Sequence, residues 1–426
     1  MGIYIFGKEE IENLIHSRGD KMWTELKKNI DWVGYADWNV RDFHSYDTRL
    51  GATYNAYLIR DEKTALIDTV KAPFAANLLQ NIRERTDLAK VDYVVCNHAE
   101  MDHSGALPEI MSQLPGATLV CNAKCRDTLA AHFDISSWRI RIISPEDSLN
   151  LGTRTLSFVN IPMVHWPESM VTYLPNDAIL FSNDAFGQHV ATTARFDDQW
   201  NIHDILSEAK SYYANIVTPY GRQVLKTLEV VRGLKLEVIA PSHGLIWRKY
   251  IPEILSAYQD WASGKYRARV GILYDTMWES TGKMAEAIES GIYDFNGSLA
   301  ADSALVDAVR LHVRKSTLTR IATEMLDTPV VALGSSTLNA EMMPQMAAVL
   351  TYIKGLKFRE KSGLAFGSYG WGPGGPEAIQ KWLELVKYPI VADMIKSKYR
   401  PTPEVLEQCR QAGRNLAELA MEKAGQ

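Results

Sequence analysis

The chain has 426 residues, 46% hydrophobic and 23% charged, with a formal net charge of −5. That length exceeds what one hydrophobic core usually supports and the composition is ordinary globular material, so two folded domains are expected. The mild acidity gives no reason to expect a nucleic-acid or membrane partner, and no apolar stretch approaches the roughly 18 residues of a spanning helix.

In chain order, the N-terminus turns to Lys8-Glu9-Glu10 after a few apolar residues, unlike a secretory leader, and a cytoplasmic protein is expected. Residues 1–29 are read as an N-terminal extension, an added amphipathic helix with a packing role. Val91-Asp92-Tyr93-Val94-Val95-Cys96 reads as a buried strand, and Ser104-Gly105-Ala106-Leu107 as a helix start. Between them, Asn97-His98-Ala99-Glu100-Met101-Asp102-His103 packs two imidazoles and two carboxylates into a strand-to-helix turn, a density that points to metal. One window cannot complete two coordination shells, so further donors are expected downstream. Three apolar strand-like segments deliver them, ending at His165, Asp184 and His243-Gly244. Strand ends opening on one rim of a sheet are where binding groups gather.

A domain boundary is expected at Asp260–Lys265, between a helical segment and the strand Arg269-Val270-Gly271-Ile272-Leu273-Tyr274. That strand runs into the hydroxyl-rich loop Thr276-Met277-Trp278-Glu279-Ser280-Thr281, after which Met284, Ala285, Ile288 and Ile292 recur at helical spacing. A loop of this kind at a helix N-terminus offers amides, hydroxyls and the positive dipole end to a phosphate, though without the Gly-Lys-Ser/Thr of a triphosphate loop. Two more strands end in Ser336-Thr337-Leu338-Asn339 and Ser368-Tyr369-Gly370-Trp371-Gly372. Small, hydroxyl and aromatic residues at three strand ends suit a flat ring above a parallel sheet, with Trp278 or Trp371 covering a face of it. Between Gly297 and Met325 a polar stretch surrounds the strand-like Val306–Val313, and the elements around it are not assigned. The four cysteines, Cys96, Cys121, Cys125 and Cys409, have the wrong spacing for a thiolate metal knuckle and are read as reduced and structural.

The pattern His-x-Glu-x-Asp-His followed by spaced His, Asp and His resembles the metallo-β-lactamase fold, with Glu100 where that superfamily usually has histidine. A harder oxygen donor shifts preference from zinc toward iron or manganese. With the phrases His165-Trp166-Pro167-Glu168-Ser169-Met170, Phe181-Ser182-Asn183-Asp184-Ala185-Phe186-Gly187-Gln188-His189 and Pro241-Ser242-His243-Gly244, the first half resembles the flavodiiron proteins. From about Ala268 onward the chain resembles flavodoxin. The resemblance implies an α/β chain: an N-terminal metallo-β-lactamase-like αββα sandwich over 30–264, fused to a C-terminal flavodoxin-like doubly wound parallel sheet over 265–426.

The resemblance also implies two Fe ions and one FMN. His98, Glu100 and His165 would hold one iron, Asp102, His103 and His243 the other, and Asp184 would bridge. His103 occupies a place that in this family can pass to water. Thr276, Met277, Trp278, Ser280 and Thr281 would hold the FMN phosphate; Ser336, Thr337, Leu338, Asn339, Ser368, Tyr369, Gly370, Trp371 and Gly372 would flank the isoalloxazine. His189, five residues after Asp184, and Tyr220 are candidates for proton delivery.

The implied activity is reduction of dioxygen to water or of nitric oxide to nitrous oxide. A diferrous pair and a reduced flavin hold two electrons each, together the four that dioxygen needs. With no fused Cys-x-x-Cys module, the electrons come from an external donor, rubredoxin or reduced F420. The family also implies a head-to-tail homodimer, or a dimer of dimers. Two other readings are a zinc hydrolase with an accessory flavin module, and an electron carrier with a vestigial metal site. Metal content discriminates the first and turnover with a gas the second.

Overall fold

Period-two alternation in the strands Tyr57–Ile59, Thr64–Ile67, Val91–Val95 and Thr118–Cys121 sends successive side chains to opposite faces of one sheet. The structure, a computed structural model, describes residues 23–144 and 146–425. It divides into two units: one comprises the chain up to Asn39 with Leu50–Asn201 and Leu234–Ile251, the other Val40–Arg49, Ile202–Gly233 and the chain from Pro252 onward.

The first unit holds a seven-stranded sheet in the order Thr24–Lys27, Ile30–Trp32, Tyr57–Ile59, Thr64–Ile67, Val91–Val95, Thr118–Cys121, Arg139–Ile142. Its first three junctions are antiparallel and its last three parallel. On one face Leu58, Leu66, Val94 and Leu119 cluster with Leu78, Ile82, Ile110 and Leu129 from the helices Ala75–Arg83, Leu107–Gln113 and Ala123–His132. On the other, Tyr57, Ile59, Ile67, Val95 and Val120 meet Leu156, Phe158, Met170, Ile179, Phe181 and Val238. Those partners belong to a second sheet, Ser148–Asn150, Thr155–Asn160, Met170–Leu174, Ile179–Asn183 and Val238–Pro241. Sheet packs on sheet, which places the carboxyl ends of four ligand-bearing segments along one rim.

The second unit is built on five parallel strands in the order Asp307–His312, Arg269–Asp275, Val330–Leu338, Ser362–Tyr369, Ile395–Lys398. The helix Ser280–Ser298 buries Met284, Ala285, Ile288 and Ile292 against this sheet and against Cys409, Leu416 and Ala417 of the helix Pro403–Ala424. The two helices touch through glycine: a Cβ on Gly413 would sit 2.0 Å from the Ile288 carbonyl oxygen.

The structure adds to these expectations at three places. Residues 24–27, inside the supposed helical extension, form a strand paired antiparallel to Ile30–Trp32; residues 1–22 lie outside those described. The strand-like Val306–Val313 forms the edge strand Asp307–His312, and the unassigned residues after it form the turn Val313–Lys315 and the helix Leu318–Met325. Finally, packing groups Ile202–Gly233 with the flavodoxin-like sheet, across the boundary expected at 264/265. Within that unit Lys210 pairs with Asp327 at 2.7 Å, Asn215 Nδ2 donates to the Thr319 carbonyl at 3.3 Å, and the Tyr352 hydroxyl donates to Asn215 Oδ1 at 2.8 Å. An amphipathic helix declares that it has an apolar face but not which core that face covers.

Leu156 is wholly buried between the two sheets of the first unit. Leu156→Ala is expected to lower that unit's unfolding free energy by about 2–5 kcal/mol, read as an earlier urea transition in the tryptophan signal.

Candidate functional site

Four of the segments that end on the rim carry the donors. His98 follows Val91–Val95, His165 follows Thr155–Asn160, Asp184 follows Ile179–Asn183 and His243 follows Val238–Pro241. Glu100 caps the short helix Met101–Ser104, which carries Asp102 and His103. Asn183 adopts φ 55°, a conformation asparagine tolerates, and its Oδ1 accepts the Asp184 amide at 2.6 Å, turning the chain out of the strand at the ligand.

The side chains converge in two groups: His98, Glu100, His165 and Asp184 in one, Asp102, His103 and His243 in the other. In the first, Glu100 Oε2 lies 3.3 Å from His98 Nε2 and 3.1 Å from His165 Nε2. Asp184 Oδ2 lies 3.4 Å from each of the same nitrogens. In the second, Asp102 presents Oδ1 to His103 Nε2 at 3.3 Å and Oδ2 to His243 Nε2 at 3.2 Å. Asp184 Oδ1 lies 3.1 Å from His103 Nε2 and 3.4 Å from His243 Nε2, so its two oxygens serve different groups. Two donors each about 2.1 Å from one ion subtend an edge of about 3.0–3.4 Å, which is the spacing seen. Asp102 Oδ1, His103 Nε2 and both Asp184 oxygens are buried without a hydrogen-bond partner, as donor atoms aimed at cations should be.

The ring orientations are set from behind. His98 Nδ1 lies 2.7 Å from Glu168 Oε1, and His243 Nδ1 lies 2.6 Å from the Thr53 carbonyl oxygen. A carbonyl oxygen can only accept, so His243 carries its proton on Nδ1; the Glu168 carboxylate imposes the same tautomer on His98. Both Nε2 lone pairs are thus left for metal. Trp166 stands edge-on to His98 with centroids 5.0 Å apart. Asp68 accepts both the backbone amide (2.7 Å) and the side-chain amide (2.9 Å) of Asn97, anchoring the start of the ligand loop. Gly244, at φ 78°, leaves no room for a Cβ, which would sit 2.1 Å from Gln188 Oε1. Burial opposes the cationic form of His165, yet Asp184 and Glu100 outweigh it and push its pKa up to about 9. His243 is likewise raised to about 10, against burial, by Asp102 and Asp184. His189, its ring 5.0 Å from that of His243, is depressed to about 3 by burial and by the charge on His243. Tyr220 lies in the second unit, at the end of the turn Thr218–Tyr220, whereas all seven metal-binding candidates lie in the first.

The second unit carries a pocket of about 910 Å³ at the carboxyl ends of its strands, lined by Met277, Trp278, Ser280, Ser336, Thr337, Leu338, Asn339, Ser368, Tyr369, Gly370, Trp371 and Gly372. Trp278 and Trp371 are 89% and 93% exposed, so neither ring is committed to packing within the protein. Two expected residues sit beneath the pocket instead of in its wall. Thr281 is buried, and its hydroxyl joins those of Ser336 (3.0 Å) and Ser368 (2.9 Å), tying the start of the helix Ser280–Ser298 to two strand ends. Thr276 is buried with no partner for its hydroxyl, a polar atom that suits a phosphate oxygen. Lys283, Ala340, Tyr399 and Arg400 also line the pocket and were missed. Tyr399 and Arg400 follow the fifth strand, whereas the sequence reading weighed only three strand ends. Lys283 gave a weak signal, a cation early in a helix whose dipole favours anions.

Comparison with known proteins matches residues 52–244 to the ODP family beta lactamase model and residues 272–413 to the flavodoxin model. A nitric oxide reductase of Moorella thermoacetica is 42% identical over 397 residues, 92% of this chain and 97% of that relative. The crystal structure of the flavodiiron protein from Giardia intestinalis superposes with a TM-score of 0.89 at 35% identity, over 95% of this chain and 98% of that one. Rubredoxin oxygen:oxidoreductase from Desulfovibrio gigas gives 0.90 at 35% identity, over 95% and 100%.

Glu168→Gln keeps the shape behind His98 but removes the carboxylate. Iron affinity in chelator competition is expected to fall about 10–100-fold with bound flavin unchanged. In the metal-free site, His165 and His243 hold protons at neutral pH, because their pKa values are raised to about 9 and about 10. Metal must displace those protons. Loading Fe(II) anaerobically at pH 7 is therefore expected to acidify a weakly buffered solution, and affinity should tighten from pH 6 to pH 8.

Proposed function

Because this chain belongs to the flavodiiron proteins, we propose that it reduces dioxygen to water, nitric oxide to nitrous oxide, or both, at a pair of irons supplied with electrons through FMN. The observation that carries this reading is the single carboxylate of Asp184 shared between two ligand groups, each with its own imidazoles and acid. His98, Glu100 and His165 would hold one iron and Asp102, His103 and His243 the other, with the Asp184 carboxylate shared between the two groups. The functional modules are residues 30–264 and 265–426, with the matched models falling inside each.

The irons and the flavin, when bound, supply the electrons and the open positions at which a diatomic gas reacts. What the chain's own residues do is hold, orient and charge-balance. Glu100, Asp102, Asp184 and Glu168 bring four negative charges to the site, matching two divalent ions. Glu168 and the Thr53 carbonyl hold His98 and His243 with Nε2 inward. No side chain is placed as a covalent nucleophile, and the glutamate at position 100 favours iron over zinc, so a metallo-β-lactamase-type hydrolase is not the better reading.

Protons must accompany electrons, four for dioxygen and two for a pair of nitric oxide molecules. His189 and Tyr220 are the candidates. His189 is uncharged at neutral pH, so it relays a proton only by taking one on one ring nitrogen as it releases one from the other. In the second unit, Trp278 and Trp371 flank the isoalloxazine, and the start of the helix Ser280–Ser298 receives the phosphate.

The external donor is rubredoxin or reduced F420, as the family resemblance implies; the four cysteines are buried as free thiols. The name of the Desulfovibrio gigas neighbour supports the first, and that of the Moorella thermoacetica relative supports nitric oxide as a substrate. A head-to-tail homodimer, or a dimer of such dimers, and a cytoplasmic location complete the proposal. No helix among the described residues is long and apolar enough to cross a membrane.

Anaerobic single-turnover mixing of the fully reduced protein with each gas tests the reading, with metal and flavin counted beforehand. Rapid reoxidation with two irons and one FMN per chain is expected; zinc in place of iron, or slow reoxidation by both gases, would overturn it. Asp184→Ala is expected to abolish most gas consumption while one FMN per chain remains, and loss of flavin along with activity would contradict two separable modules.

A further inference from the structure

At the carboxyl end of the strand Arg269–Asp275 lies a charged cluster that forms no part of the pocket lining. Asp275 is wholly buried. Its Oδ1 accepts the Thr276 amide at 2.8 Å and Arg314 Nε at 2.7 Å, and lies 3.3 Å from His312 Nε2. The His312 ring is itself held by stacking on Tyr274, centroids 5.2 Å apart. The same Arg314 guanidinium reaches on through Nη2 to donate to the Thr276 carbonyl oxygen.

Both backbone groups of Thr276 are therefore engaged, the amide by Asp275 and the carbonyl by Arg314. Its buried hydroxyl alone has no partner. Among the described residues that hydroxyl, like Asp275 Oδ2 beside it, is buried with no hydrogen-bond partner, which leaves it open to a ligand. Arg314 comes from the turn Val313–Lys315 after the adjacent edge strand, so the conformation of this loop is dictated by a neighbouring strand as well as by its own residues. The charges of Arg314 and Asp275 cancel, which makes the contribution one of orientation more than of net field. A planar guanidinium can bridge a carboxylate and a carbonyl at once, and a lysine ammonium on a flexible stem is a poor substitute.

We propose that Arg314, acting through Asp275 and the Thr276 carbonyl, is the positioning residue for the phosphate end of the flavin. It fixes the peptide units on both sides of Thr276 before FMN arrives, so that little ordering remains to be done on binding. This rests on the FMN reading above.

The test titrates FMN and riboflavin, which lacks the phosphate, into the full-length, metal-loaded, flavin-free chain as wild type, Arg314→Gln and Arg314→Lys, following flavin fluorescence. Both variants are expected to bind FMN about tenfold or more weakly while riboflavin shifts by no more than about twofold, the mark of a lost charge-assisted hydrogen bond at the phosphate end. Circular dichroism and melting of the flavin-free chains should stay as in wild type. Equal losses for the two flavins would mean a packing role and overturn the proposal. So would unchanged FMN binding, or full FMN affinity in Arg314→Lys, which would assign the effect to charge. Should Arg314→Gln fail to fold, the milder Arg314→Lys decides between the same outcomes. A wild type that binds neither flavin would overturn the FMN reading and this inference together, whereas a wild type preferring FMN with variants that keep the preference overturns only the inference.

Discussion

The first unit is organised around one electrostatic constraint, the concentration of four carboxylates in a largely dry site. Glu100, Asp102, Glu168 and Asp184 have side chains between 1% and 13% exposed. Burying that much like charge is prohibitive unless cations compensate it. The raised imidazole pKa values are the metal-free expression of the same demand, since the histidines take protons to supply charge that divalent ions otherwise provide. Asp184 makes the solution economical, because one carboxylate contributes to both ligand groups and fixes their separation. Only backbone held on a rigid rim can keep seven side chains in register for this, which is why the donors sit at strand ends backed by two packed sheets.

The second unit meets a different constraint with different materials. A flavin is a flat ring with a dianionic tail, so its site needs an open slot with aromatic walls and a phosphate cradle. The pocket lined in part by the exposed Trp278 and Trp371 offers such a slot, and the start of the helix Ser280–Ser298 is the proposed cradle. The triangle of Thr281, Ser336 and Ser368 hydroxyls links the start of one helix to two strand ends, so each is positioned by the other two. Asp275 and Arg314 hold the Thr276 backbone and on the proposal above do for the cradle what Glu168 and Thr53 do for the ligand rings. In both units the groups that would touch the cofactor are oriented by neighbours set behind them, buried for Glu168, Thr53 and Asp275 and half exposed for Arg314.

Much of this was legible in the sequence because ligands and phosphate loops demand particular residue types at short spacing. His98, Glu100, Asp102 and His103 stand within one turn, and the strand-like runs before His165, Asp184 and His243 place the remaining donors on the same rim. The pocket loops were legible for the same reason, down to twelve of its lining residues. Less legible were positions whose role depends on a neighbour distant in sequence. Thr276 and Thr281 carry the right hydroxyls but lie under the wall, Tyr399 and Arg400 enter from the fifth strand, and Arg314 reaches Thr276 from 38 residues away. Residues 24–27, grouped with a helical extension, pair as a strand because an antiparallel partner at Ile30–Trp32 follows immediately.

The sequence by itself pointed, through its family resemblance, to the fold class and the two cofactors, and it named seven candidate donors because local spacing and strand-end chemistry are written in consecutive residues. Tertiary structure alone decided which oxygen of Asp184 serves which group and which tautomer His98 and His243 adopt. It also decided that His189 stays uncharged beside them and that the helices of Ile202–Gly233 pack with the flavodoxin-like unit. These are matters of approach between side chains far apart in the chain and of how much water is excluded around them, and neither has a signature in the order of the residues.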